Sequence, residues 1–169
     1  ITKLQAEALN LADTYAFTGT VTGAGGVNTP AFSVRLSGNQ SIDNSETATK
    51  ITFDTEDIDT DGKFASNKFT PTVAGKYFIS LTAVLESSGN GEVLIAIVKI
   101  YKNGSQISGS DARVDFRGNR ARGAGPTATV LVDLDADDYI EGYAFNNAGG
   151  GTSQIMSYGT RMQGFKITE

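Results

Sequence analysis

Val93-Leu94-Ile95-Ala96-Ile97-Val98-Lys99-Ile100-Tyr101 is apolar at every position but Lys99, and the segment from Gly75 to Leu85 is apolar at nearly every position. Runs of β-branched and aromatic residues of this length read as strands. An antiparallel strand with one face on a core and the other in water alternates apolar with polar residues. Two strands that lack the alternation need cover on both faces. Within one small domain that cover is either a second copy of the chain or a long loop over a central strand. On the first reading, Tyr77, Ile79, Leu81, Ile95, Ile97 and Tyr101 are the expected interface residues between copies.

Outward from these two strands the pattern continues as short apolar or period-two runs, broken by Gly, Asn and Asp about every 8–12 residues. Strands are expected at Ala31 to Leu36, Thr49 to Phe53, Asn67 to Thr72, Gly75 to Glu86, Val93 to Tyr101, Gln106 to Phe116, Thr127 to Leu134, Tyr139 to Phe145 and Thr160 to Ile167. Lys102-Asn103-Gly104-Ser105 predicts a tight hairpin, because Asn-Gly accepts the positive φ values of a type I′ turn. Asp111, Arg113, Asp115 and Arg117 alternate with Ala112, Val114 and Phe116, so one charged and one buried face is expected there. The fold class is all-β, an antiparallel sandwich, over residues 30–169.

Residues 1–29 read differently. Ile1, Leu4, Ala8, Leu11 and Tyr15 follow the heptad rhythm that brings apolar side chains onto one helix seam. Thr18 to Thr29, with four Gly and four Thr, has the composition of a neck. Two heptads are too short to be stable alone, so the segment is either the end of a multi-stranded stalk or a short helix folded back on its domain. A first residue of Ile rather than Met suggests the C-terminal piece of a longer polypeptide.

The 169 residues fit one domain plus a short extension. Cys and His are both absent, which removes disulfides, thiolate nucleophiles, Cys/His zinc sites and imidazole acid-base chemistry. Fourteen basic against 19 acidic residues give a net charge of -5, which disfavours nucleic acid and anionic membranes as partners. No apolar run approaches the roughly 18–20 residues of a membrane helix, and the first residues lack the pattern of a secretion signal.

Ala31-Phe32-Ser33-Val34, Ile51-Thr52-Phe53-Asp54-Thr55, Lys68-Phe69-Thr70-Pro71, Val73-Ala74-Gly75-Lys76-Tyr77-Phe78, Lys102-Asn103-Gly104 and Gly164-Phe165 occur in this order across about residues 31 to 168. The ordered set resembles the globular head domain of the C1q and tumour necrosis factor superfamily. That resemblance implies a ten-strand jelly roll, a tight homotrimer, and a non-enzymatic recognition head carried on a stalk. Gly-X-Y triplets are absent, and the heptad-like flank with its Gly/Thr neck is similar to the C-terminal parts of bacteriophage tail-fibre proteins. The implied setting is a virion fibre, otherwise an extracellular location. The implied partners are upstream fibre segments or other virion proteins and a host surface glycan or protein receptor. The alternatives are a structural knob or head fibre without specific ligand, and a polysaccharide depolymerase.

In this family both termini lie at the stalk end, so counting strands back from the C-terminus places three loops at the far end. These are Ser87 to Glu92, Arg117 to Pro126 and Asn146 to Tyr158. The receptor-binding candidates are therefore Arg117, Arg120, Arg122, Ser87, Ser88, Asn90, Glu92, Asn146, Asn147 and Tyr158. Guanidinium forks suit carboxylates, sulfates and phosphates; the plainer reading of the Arg loop is solvated charge or salt bridges to a neighbouring subunit. It lacks the Gly-Lys-Ser/Thr ending of a phosphate loop. Asp57, Asp59, Asp61 and Gly62 match the first half of a calcium loop, but Lys68 stands where the bidentate Glu belongs. Calcium is the one cofactor left open, against a polar turn between strands. Carboxylate pairs for glycoside hydrolysis exist in any chain this acidic, and no Trp is present to stack on sugar.

Overall fold

A computed structural model describes residues 29–44, 47–88, 91–116, 118 and 121–167. The segment expected to form the stalk helix lies outside the described residues. Thirteen strands follow in order: β1 (Ala31–Arg35), β2 (Gln40–Ile42), β3 (Thr49–Lys50), β4 (Thr55–Asp59), β5 (Phe64–Ala65), β6 (Lys68–Phe69), β7 (Gly75–Ser87), β8 (Val93–Lys102), β9 (Ser105–Asp115), β10 (Gly123–Ala124), β11 (Thr127–Leu134), β12 (Ile140–Ala148) and β13 (Ser153–Lys166). Every pairing is antiparallel. One sheet runs β10-β7-β13-β1-β4, with β11 also on β7 and β2 also on β13; the other runs β5-β6-β12-β8-β9, with β3 on β12. The two sheets close over one core as a jelly roll, and no helix occurs among the described residues.

The strands expected at β7, β8, β9 and β11 are present within a residue. β12 runs three residues past its expected end, to Ala148, taking Asn146 and Asn147 out of the expected loop. The last strand begins at Ser153 rather than Thr160, because Gln154-Ile155-Met156 pairs across β7 before the chain loops out at residues 157–160. The Asn103-Gly104 turn has φ values of 53° and 76°, as a type I′ hairpin requires. Thr55–Asp59, expected to lie in a polar turn between strands, forms a strand on the edge of the larger sheet.

β7 corrects a further expectation. Its residues alternate strictly, and Tyr77, Ile79 and Leu81 are completely buried in the subunit's own core together with Val34, Leu85 and Met162. They are not interface residues. Lys76, Phe78, Ser80, Thr82, Val84 and Glu86 form the outer side; in the sequence Phe78 and Val84 conceal that alternation. Ile95, Ile97 and Tyr101 do point outward, half-buried on the smaller sheet, where Tyr101 stacks on Tyr143 at 4.1 Å between ring centroids.

Register across the larger sheet lines its outer face in rows. Leu131, Phe78, Phe165 and Ala31 lie side by side, and next to them Thr129, Ser80, Gln163, Ser33 and Ile58. Leu131 is 68% exposed, Ile58 52% and Phe165 37%, an unusual concentration of solvent-facing apolar area. Gly164 makes the sheet possible at this point, since a Cβ there would lie 2.6 Å from Ile79 Cδ1 and 2.7 Å from the Phe78 carbonyl oxygen.

Both ends of the described chain meet at one end of the sandwich, where Lys166 N donates to Pro30 O at 3.0 Å. The Asn103 hairpin and the Asp135 to Asp138 turn are also at this end. Asp138 accepts hydrogen bonds from Asn103 Nδ2 at 2.6 Å and from the Asp135 amide at 2.8 Å, and pairs with Lys102 Nζ at 2.7 Å. The Lys102 contact first, then the Asn103 and backbone donors, hold its carboxyl down at about 2. A depressed carboxylate pKa contributes stability above the unfolded value near 3.8, and loses it as pH falls through the folded value. Asp138→Asn is therefore expected to lower the thermal midpoint at neutral pH, with the difference from the parent shrinking between pH 4 and pH 2. Melting curves over that range check it; a difference independent of pH would contradict it.

Candidate functional site

At the opposite end of the sandwich β7 finishes at Ser87, β13 starts at Ser153, β8 starts at Val93 and β12 finishes at Ala148. The three loops expected to be distal from strand counting all lie here. They enclose a cleft of about 650 Å³ whose lining includes Ser87, Ser88, Glu92 and Arg122 among the predicted residues. Arg117, Arg120 and Asn90 lie outside the described residues.

Backbone pairing fixes the cleft. Ser87 N donates to the Arg122 carbonyl at 3.3 Å, and Val93 and Ala121 exchange hydrogen bonds at 2.7 and 3.3 Å, which ties the Arg loop to the starts and ends of two strands. Gly123 pairs with Glu86, so Arg122 stands beside that carboxylate, with Nε 3.5 Å from Glu86 Oε2. The Arg122 side chain is 86% exposed and extends into solvent. The Tyr158 hydroxyl donates to Glu86 Oε1, and this bond, with some burial and the Glu86 charge, pushes the phenol pKa up while Arg122 opposes it. Tyr158 itself is 56% exposed.

Three predicted residues have other roles. Ser87 is buried, and its Oγ donates to the Gly150 carbonyl at 2.7 Å, holding the loop before β13. Asn146 is fully buried; its Nδ2 donates to the Glu86 carbonyl at 3.3 Å, so a receptor cannot reach it. Asn147 is half-buried at the end of β12. Ser88 is exposed, accepting from the Thr152 amide at 3.2 Å. Glu86, Gly91, Gln154 and Met156 complete the cleft; none was named as a candidate, although Gly91, Gln154 and Met156 fall within the loops expected to be distal. Strand alternation puts Glu86 on the outer face of β7, but only the β7 and β13 register brings Gln154 opposite it.

An exposed guanidinium group, a carboxylate held by two partners, a serine hydroxyl, a glutamine amide and an accessible phenol ring can meet sugar hydroxyls, anionic substituents and apolar sugar faces. The calcium candidates do not converge. Asp57 pairs with Arg35 Nε at 3.0 Å and Arg161 Nη1 at 2.8 Å, and those contacts, led by Arg35, keep its carboxyl below the usual range. Asp59 instead accepts from the amides of Lys63 and Phe64 at 2.9 and 2.8 Å, closing its own turn. Among the described residues no three carboxylates gather as a metal site.

No family model matches the chain, and no curated protein matches it in sequence. Solved structures do resemble it. The globular domain of the zebrafish complement 1qA protein superposes with a TM-score of 0.59 at 15% identity, covering 83% of this chain and 98% of that one. Eiger TNF from S. frugiperda superposes with a TM-score of 0.55 at 9% identity, covering 82% of this chain and 92% of that one. The fold is the C1q/TNF-like jelly roll. No helix among the described residues is long and apolar enough to cross a membrane.

Proposed function

We propose that this chain is the non-enzymatic recognition head of a trimeric bacteriophage fibre, binding the host cell surface with its distal end. The observation that carries the proposal is the distal cleft: loops from three parts of the chain build it at the end away from both described chain ends. A head attached at Pro30 would present that end to its target. Loops on a rigid sandwich are where recognition commonly resides. The outer face of the larger sheet, with Leu131, Ile58, Phe165 and Phe78, is the surface through which three copies would join. The heptad-like flank supports attachment to upstream fibre segments, and the virion is the implied location.

Purified chain added to host cells is expected to block phage adsorption in a saturable way. Arg122→Ser is expected to weaken cell binding. One exposed charge contact is worth only ~0.2–1 kcal/mol, but a trimer multiplies it into a loss of several-fold to tens-fold. Raising salt should weaken the parent more steeply than the variant, because exposed charges are largely screened beyond about 10 Å at 0.1 M. A chain that binds no cells would make this a structural knob instead. Clearing of capsule by the purified chain would make it a depolymerase.

A further inference from the structure

Two irregularities in the larger sheet bring a pair of guanidinium groups together midway along its outer face. β13 loses register with β7 between Met156 and Arg161, and residues 157–160 loop out to form a rim, with Gly159 at φ 74°. β1 shifts against β4 between Ser33 and Val34, which leaves Asp57 without a paired residue at the bulge. Arg35 and Arg161 both reach Asp57, at 3.0 and 2.8 Å, and Arg161 Nη1 also donates to Ser33 Oγ at 2.6 Å. Two cations thus share one carboxylate. Both Arg side chains stay 42% exposed. Beside them a cleft of about 270 Å³ is lined otherwise by hydroxyl and amide groups, those of Ser80, Thr82, Ser157 and Gln163 foremost, with no acidic residue among its described lining.

We propose that this cleft binds a small tetrahedral oxyanion, sulfate or phosphate, free or as the ester of a sugar. The two guanidinium groups carry one positive charge more than Asp57 neutralises, and their planar forks match oxyanion geometry. The Ser80 hydroxyl and the Gln163 amide supply further donors, while the Ser157 hydroxyl donates to Asn39 Oδ1 and Thr82 Oγ1 bonds Thr127 Oγ1. Bulges commonly lie beside functional sites because they re-aim side chains away from the regular pleat. The site is separate from the distal cleft and does not depend on its role. If copies join through this sheet face, the anion is enclosed between them and offsets charge that desolvation makes costly.

The test is calorimetric titration of the full chain with sodium sulfate and sodium phosphate, against sodium chloride at matched ionic strength. Saturable binding is expected with the parent and the Lys63→Gln control, weakened about tenfold or more in Arg161→Gln. Because Arg161→Gln also takes a partner from Asp57, Gln163→Glu provides the second variant. It adds a carboxylate to the cleft, so it should abolish the saturable heat, and circular dichroism in chloride shows whether the variant is folded whatever its state of assembly. Galactose 6-sulfate then separates the sources: tighter binding than inorganic sulfate identifies a sugar ester, weaker binding the free anion. No saturable heat with the parent, or equal heat in folded Gln163→Glu, overturns the proposal. Cell adsorption assays read the distal cleft independently of this result.

Discussion

Phe69→Ala is expected to destabilise the head by about 3–5 kcal/mol, the cost of deleting a fully buried aromatic ring and leaving its cavity. Phe69 belongs to the smaller sheet, where it pairs with Phe64 and Ile140. Its ring stacks on Phe32 of the larger sheet at 4.2 Å between centroids and meets Tyr77 edge-on at 5.8 Å. The ring therefore joins the two layers, with no exposed area of its own, and neighbours held in ladders on both sides cannot easily collapse into the space. Urea unfolding at an unchanged slope checks the value. Val73→Ala, at a position 45% exposed, should cost less than about 0.5 kcal/mol. A Phe69→Ala loss as small as that of Val73→Ala would mean that the aromatic contact between sheets is not a stability determinant.

Phe78→Asp is expected to prevent the proposed trimer from forming while each chain stays folded. Phe78 lies on the outer side of β7, its ring 5.7 Å from that of Phe165, with Leu131 on the next strand. Three copies joined through this face would bury three unpaired carboxylates in apolar surroundings, and each costs several kcal/mol or protonates. In the free chain the same side chain meets water, so folding should be little affected. Ile97→Asp, on the outer face of the smaller sheet, should leave the assembly intact. Sedimentation of the two variants separates the faces. Loss of trimer in Ile97→Asp with retention in Phe78→Asp would move the interface to the sheet that carries Ile95, Ile97 and Tyr101.

The long strands β7, β8, β9 and β11, their antiparallel succession and, with the family resemblance, the end at which the loops between them emerge were legible in the sequence, whereas β4 and the first half of β13 were not. Each follows from local periodicity, from Asn103-Gly104 turn chemistry and from counting reversals of direction. The outer face of the larger sheet was not. Phe78, Leu131 and Phe165 come from three strands far apart in the chain, and only register makes them neighbours. The same limit hid the cleft residues Glu86 and Gln154. Asp57, Asp59 and Asp61 looked convergent because their spacing is regular, yet the bulge at Ser33 directs Asp57 to Arg161, a partner on the last strand. β8 was read correctly as apolar on its outward side, whereas β7 was misread because a Phe and a Val interrupt its polar side.

The most direct test of the assembled recognition head is the mass of the purified chain by light scattering at micromolar concentration. A particle of three chains is predicted, since the apolar row of Leu131, Phe78 and Phe165 is the surface a threefold assembly would cover. A stable, well-folded monomer across that concentration range would contradict the account.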